Sequence, residues 1–258
     1  MWSPQIIHYN ESKNIDLHSL ISGKVPAIIL KEFYDKKYCD SLIQKIKEIS
    51  YESFQNGKLQ HIGPFLMSYA TKKEQYFAQA KKSKFYFDYI FSKLDNPSNR
   101  IFETLKIAFP KAKISLAQEF ENDFSPFIIR IHEKGESIPI HKDHVGYEGK
   151  EYSISKIDNQ LSCILHIQES EMGGDLVIYK INWKKQDEKF RNIDFGYSPN
   201  VISSQKYCKI SDIEKGDLVL INPLFYHEVT TIQGPTPRIT LGMFLGFSKN
   251  NNEIISWA

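Results

Sequence analysis

The sequence predicts an α+β fold dominated by β structure, with helices first and a β-sandwich or barrel second. Three observations carry that prediction. Apolar residues recur at helical spacing within the first hundred residues. After Pro110 the texture changes to short runs rich in Ile, Val, Leu, Phe and Tyr, bounded by Gly, Pro, Asn or Asp. No stretch of linker composition separates the two halves, and 258 residues suit one large domain. Residues 1–258 are therefore read as a single domain, with 1–110 as largely helical support and 111–250 as the β core.

The elements follow in order. Residues 25–30, Val-Pro-Ala-Ile-Ile-Leu, form a short apolar strand candidate. Asp35 stands where a helix N-cap belongs, ahead of Cys39, Leu42, Ile43, Ile46 and Ile49. A second helix is expected over 73–94 and a third over 98–109, stopped by Pro110. Strand-length runs then cover 114–120, 127–132, 161–168, 175–181, 218–221 and 238–247. Two irregular segments, 144–159 and 184–200, are long for connections inside a compact domain, and such loops are commonly functional rims or lids.

Composition excludes several classes of function. There are 33 basic and 31 acidic residues, for a net charge of +2. That leaves no basic excess to neutralise nucleic-acid phosphates. Lys72, Lys73, Lys81, Lys82 and Lys84 read as a solvated helix face rather than an anion site. The three cysteines, Cys39, Cys163 and Cys208, form no C-x-x-C pair, which argues against a disulfide framework or a zinc knuckle. Neither a secretory leader nor an apolar stretch of about 18 residues is visible. The expectation is a reduced, cytoplasmic protein without a nucleic-acid or membrane partner; nothing in the sequence bears on oligomeric state.

The chemistry begins at Ile140-His141-Lys142-Asp143. On a strand, residues i and i+2 share a face, so His141 and Asp143 project together. A lone His-x-Asp is weak evidence. Downstream, however, residues 217–229 read as an apolar strand that delivers His227 near its far end. Next come a turn, Gln233-Gly234-Pro235-Thr236-Pro237, and a returning strand opening Arg238-Ile239-Thr240. If the turn closes a hairpin, His227 and Arg238 lie roughly 7–10 Å apart along neighbouring strands. That span suits a five-carbon dicarboxylate chelating a metal beside His227, with its far carboxylate on the guanidinium. Arginine's planar fork binds a carboxylate through two parallel hydrogen bonds, and Thr240 on the same face adds another donor. Two histidines and one carboxylate with open positions are the facial arrangement of non-haem iron(II) oxygenases. A zinc hydrolase needs no cosubstrate anchor.

These motifs resemble the iron(II)/2-oxoglutarate-dependent dioxygenases, in particular the prolyl-hydroxylase-like branch. His132-x-x-Gly135-x-x-x-x-x-His141-x-Asp143 follows that branch's spacing, Gly173-Gly174-Asp175-Leu176 resembles its Gly-Gly turn, and Lys215-Gly216-Asp217 the turn before the distal histidine. The resemblance implies a double-stranded β-helix core (jelly roll, cupin-like) with the N-terminal helices packed outside it. It also implies Fe(II) held by His141, Asp143 and His227, with 2-oxoglutarate and O2 as cosubstrates and ascorbate as a reductant. Arg238, Thr240 and His132 would bind 2-oxoglutarate. His132 departs from the branch's usual Tyr, so a purely structural role for it stays open.

The segment containing Trp183 and Asn222-Pro223 is also similar to free-standing tailoring enzymes related to the hapalindole-type halogenases. Related halogenases replace the carboxylate ligand by Gly or Ala, and here Asp143 is intact. The function expected is hydroxylation of an unactivated C–H bond in a small molecule or amino-acid derivative, with release of succinate and CO2. Two alternatives are a peptide or protein residue hydroxylase of the same chemistry and a non-catalytic cupin-like binding module. Among the other histidines, His144 should face away from the ligand pair, and His166 is a candidate pocket residue.

Overall fold

Alternation along β-strands forces a choice of face, and here it builds two sheets whose inner faces meet. The computed structural model describes residues 2–49, 60–193, 196–203, 205–248 and 252–258. Its strands are β1 (Gln5–His8), β2 (Ala27–Lys31), β3 (Gln60–Ile62), β4 (Lys113–Leu116), β5 (Gln118–Glu119), β6 (Asn122–Asp123), β7 (Ile128–His132) and β8 (Ile138–His141). They continue with β9 (Asn159–Gln168), β10 (Leu176–Asn182), β11 (Tyr207–Ile210), β12 (Leu218–Ile221), β13 (Phe225–Val229), β14 (Arg238–Ser248) and β15 (Glu253–Trp257). The α-helices are α1 (Leu17–Ile21), α2 (Lys36–Glu48), α3 (Lys73–Ile90), α4 (Pro97–Ala108) and α5 (Val145–Glu148).

Among the described residues the major sheet runs β1-β2-β12-β9-β14-β15-β4, with β7 also paired to β14 and β3 to β7. The minor sheet runs β11-β10-β13-β8. This is a jelly-roll core of mixed, open sheets. The outward residues of β14, Ile239, Leu241, Met243 and Leu245, join Leu42, Ile43 and Ile46 of α2 and Phe87 and Ile90 of α3 in one buried cluster. Helices thus cover the outer face of the major sheet. Between the sheets, Ala27, Ile29, Val219 and Ile221 meet Leu176, Ile178, Phe225 and Val229. One end of the interior is therefore apolar, and the other is left for polar residues.

Local chemistry sets the helix ends. The Asp35 carboxylate accepts the Lys37 amide at 2.7 Å, which is the N-cap expected for α2. Asn96 caps α4, with Pro97 at its first position. The second helix stops at Ile90 rather than 94: Phe91 leaves helical geometry at φ −92° and ψ 3°, and Lys93 then turns to a φ of 62°. The 114–120 run is broken at Ala117, and Phe120, at φ 54°, turns β5 into β6. The largely helical reading of the N-terminal region also missed β1 and β3. Lys81, Lys82 and Lys84 lie on the exposed face of α3, and no helix among the described residues is long and apolar enough to cross a membrane.

Two expectations about the site's scaffold are corrected. Residues 217–229 are two strands in different sheets: β12 pairs with β2 and β9, whereas β13 pairs with β10 and β8. Pro223 lacks the amide needed to continue a ladder, and Asn222 fixes the break by accepting the Leu224 amide at 3.1 Å and donating to Ile21 O at 3.0 Å. The turn at 233–237 closes no hairpin, because β13 and β14 belong to different sheets. That segment instead docks on the Gly173-Gly174 turn, where the Gln233 amide donates to Met172 O at 2.8 Å. Gly174 has φ 80°, and a Cβ there would come within 2.7 Å of Ile232 and 3.0 Å of the Arg238 Cδ.

Candidate metal centre and organic-acid site

The minor sheet brings His141 and His227 opposite each other in register, on the antiparallel strands β8 and β13. The Asp143 amide donates to Pro223 O at 2.9 Å, so the crossover that starts β13 also pins the third residue. His141, Asp143 and His227 are all buried, and one ligand atom from each lies within 4.8 Å of the others. Nδ1 of His141 faces Pro139 O at 2.8 Å, and Nδ1 of His227 faces Phe225 O at 2.9 Å. A carbonyl only accepts, so each Nδ1 carries the proton and each Nε2 presents its lone pair. Those Nε2 atoms stand 3.9 and 3.6 Å from Asp143 Oδ2. Ligand atoms about 2.1 Å from one metal and at right angles lie about 3 Å apart, so a small closing motion completes the set.

Electrostatics favour the ligand forms. Burial, reinforced by the neighbouring His227, lowers His141 to about 4 and keeps its ring neutral. Burial alone would raise Asp143, but the His227 and His141 rings and the Arg130 charge outweigh it, and the carboxyl falls to about 2. Neutral imidazoles and an ionised carboxylate are the states that bind a metal.

The major sheet supplies the opposite wall. Arg238 pairs with His132 and Thr240 with Arg130 across β14 and β7, while Thr240 meets His166 across β9. The register slips between Ile239 and Thr240, a bulge of the kind that re-aims side chains beside sites. Arg238, Thr240, His132 and His166 are buried. Both ring nitrogens of His132, Nε2 of His166 and Nε of Arg238 have no hydrogen-bond partner among the described residues. Buried polar atoms in native proteins are almost always satisfied, so this cluster fits an anionic guest. Burial, with Arg238 and Arg130 adding to it, lowers His132 to about 3, so its ring is neutral and offers a single N–H.

Sequence reasoning missed Glu169. It accepts from His166 Nδ1 at 2.6 Å and stands 3.7 Å from Arg238 Nε. Burial would raise its carboxyl, but His166 and Arg238 hold it below the usual carboxylate range. Glu169 thus steadies the guanidinium from behind, and nothing in the local sequence marks it. His166, expected only as a candidate, is in the wall.

The two irregular segments are fastened together beyond the metal side. Residues 144–159 contain α5, and His144 precedes it, with its ring 5.4 Å from that of Trp183. Glu148 of the first segment binds Lys142 and accepts from Arg191 of the second at 2.9 Å. Arg191, Trp183 and Tyr197 all donate to Glu188. Asp194 and Phe195 of the second segment lie outside the described residues.

Comparison with known proteins agrees with this geometry. Residues 6–258 match the family described as the carrier-protein-independent halogenase WelO5. A curated relative, "Leucinostatins biosynthesis cluster protein S" of Purpureocillium lilacinum, is 32% identical over 159 residues, which are 58% of this chain and 64% of that protein. An N-substituted L-amino acid dioxygenase from Burkholderia ambifaria AMMD shares the fold, with TM-score 0.60 and 15% identity over 94% of this chain and 90% of that one. The non-heme alpha ketoglutarate dependent carbocyclase SnoK from nogalamycin biosynthesis does so with TM-score 0.53 and 8% identity over 92% and 88%. The chain belongs to the family of the carrier-protein-independent halogenase WelO5, within the iron(II)/2-oxoglutarate-dependent oxygenases.

Proposed function

We propose that the protein hydroxylates an unactivated C–H bond of a small molecule or amino-acid derivative. The observation that carries this reading is Asp143, whose carboxylate stands within 3.6 and 3.9 Å of the two histidine Nε2 atoms. A third protein ligand with a negative charge takes the position a halide would need. Iron(II), 2-oxoglutarate and O2, when bound, supply the oxidising chemistry, and 2-oxoglutarate leaves as succinate and CO2.

The chain's own residues hold and orient these groups. His141, Asp143 and His227 would hold the metal through two imidazole Nε2 atoms and one carboxylate oxygen. Arg238 offers its fork to the far carboxylate of 2-oxoglutarate, with Thr240 and His132 donating beside it. The Glu148–Arg191 tie fastens the two irregular segments behind the minor sheet, where Phe190 and Tyr197 pack with Ile140 and Tyr226 and so brace the strands that carry His141 and His227. The Burkholderia fold relative is described as acting on N-substituted L-amino acids, a substrate class in keeping with this proposal.

The test is to screen candidate small molecules for succinate formation in chloride buffer and to weigh the product. Substrate-stimulated succinate and a gain of one oxygen are expected. Chlorinated product from the wild-type protein would overturn the hydroxylase reading.

A further inference from the structure

The chain has four arginines, Arg100, Arg130, Arg191 and Arg238. Three of them face a carboxylate: Arg100 meets Asp95 at 3.7 Å, Arg191 meets Glu148 and Glu188 at 2.9 Å, and Arg238 meets Glu169 at 3.7 Å. Among the described residues, none pairs with Arg130, and no oxygen accepts a hydrogen bond from it. Its surroundings are nevertheless built. The guanidinium lies over the Phe65 ring, 5.1 Å from the centroid. Beside it stands Gly242, where a Cβ would come within 2.7 Å of Arg130 Nη1, so the missing side chain makes room for the cation. Arg130 projects from β7 next to Thr240, on the wall that faces the metal ligands, and its charge is felt at Asp143.

A half-buried guanidinium without a counter-ion is costly, because desolvation is not offset by a partner. Burial lowers Arg130 to about 10, with the Asp143 charge opposing, so it stays charged at neutral pH. On the oxygenase reading neither carboxylate of 2-oxoglutarate would be left over for it, since one would be at the metal and the other at Arg238. We propose that Arg130 binds a carboxylate carried by the substrate, which makes the substrate class a small organic acid with a free carboxyl group; this rests on the oxygenase reading above. A single guanidinium matches a monoanion bound through two parallel hydrogen bonds, whereas a phosphate dianion calls for a second cation, and Arg238 is already committed.

The test is calorimetric titration under argon, with the protein loaded with iron(II) and 2-oxoglutarate. The probes are acids paired with their primary amides: N-acetyl-L-leucine, N-acetyl-L-phenylalanine and 3-phenylpropanoic acid. At least one acid should bind, and its amide should bind at least about tenfold more weakly. R130Q should erase that preference and R130K should keep part of it. The 2-oxoglutarate titration that precedes each run reports separately on the oxygenase reading. Should R130Q fail to fold, the acid–amide comparison in the wild-type protein decides alone. The proposal is overturned if no acid binds, if acid and amide bind equally, or if the preference survives in R130Q. An equal loss of 2-oxoglutarate affinity in R130Q also overturns it, by moving Arg130 into the cosubstrate subsite. A fall in iron affinity with the acid preference unchanged does so too, by reducing Arg130 to an orienter of Asp143.

Discussion

The rings of His141 and His227 lie 4.1 Å apart, centroid to centroid, with their planes tilted by 48°, placed opposite each other by the register of β8 and β13. Each ring is fixed by a carbonyl two residues earlier in its own strand, so neither needs a metal to be oriented. His227→Ala should therefore remove a preformed ligand without unfolding the sheet. Anaerobic addition of iron(II) and 2-oxoglutarate should give the weak visible band of a chelated 2-oxo acid in the wild type and none in the variant. Retention of both the band and full turnover would refute the assignment.

Arg238→Ala should weaken 2-oxoglutarate far more than iron. Loss of a buried, charge-assisted pair costs about 3–5 kcal/mol, which is at least about two orders of magnitude in affinity. Arg238→Lys should recover only part of it, lacking the fork that Glu169 steadies. Titration of 2-oxoglutarate at saturating iron separates the cases, and an unchanged alanine variant would place the anchor elsewhere.

Asp143→Gly should open one metal position and remove the charge that repels an anion. The variant should lose nearly all hydroxylation yet still bind iron, 2-oxoglutarate and chloride together. Chloride-dependent change in the anaerobic visible band reads this directly. A variant that hydroxylates at the wild-type rate would show that Asp143 is not a ligand.

Acid should destabilise the metal-free protein through His132. Its folded value is about 3 against an ordinary value of about 6.5. Below pH about 6.5 the unfolded chain takes up a proton that the folded chain refuses. The stability is thus fully present above that pH and falls toward pH about 3, by at most about 1.4 kcal/mol per pH unit. His141, lowered to about 4, adds to the same slope. Urea unfolding with a chelator present should show a shallower pH dependence for His132→Gln. Identical slopes would mean that His132 is not held neutral.

What was legible in the sequence was what short-range spacing encodes. His141-x-Asp143 places two ligands on one face wherever a strand carries them, and Asp35 caps its helix from two residues away. The β13 strand was merged with β12, because only Pro223 marks the change of sheet and its effect depends on which strand waits on either side. Arg130 and Glu169 were passed over for a related reason. Their meaning lies in partners across the fold, a missing carboxylate for one and a buried guanidinium for the other. The strands β1, β3 and β11 are short and carry polar residues such as Gln5, Gln60 and Lys209, so their pattern is weak without their neighbours.

The candidate metal ligands hang from β8, the residues just after it, and β13, whereas Arg238, Thr240, His132 and Arg130 all stand on β14 and β7. The interior is thus divided between two walls with different owners. On the proposed roles, a substitution at Asp143 would alter which atom is transferred while leaving the residues that grip the organic acids in place. A substitution at Arg130 would act on the wall proposed to hold the substrate, and would reach the metal side only through the charge it exerts on Asp143. Which atom is transferred and which molecule is held would then be properties of different sheets.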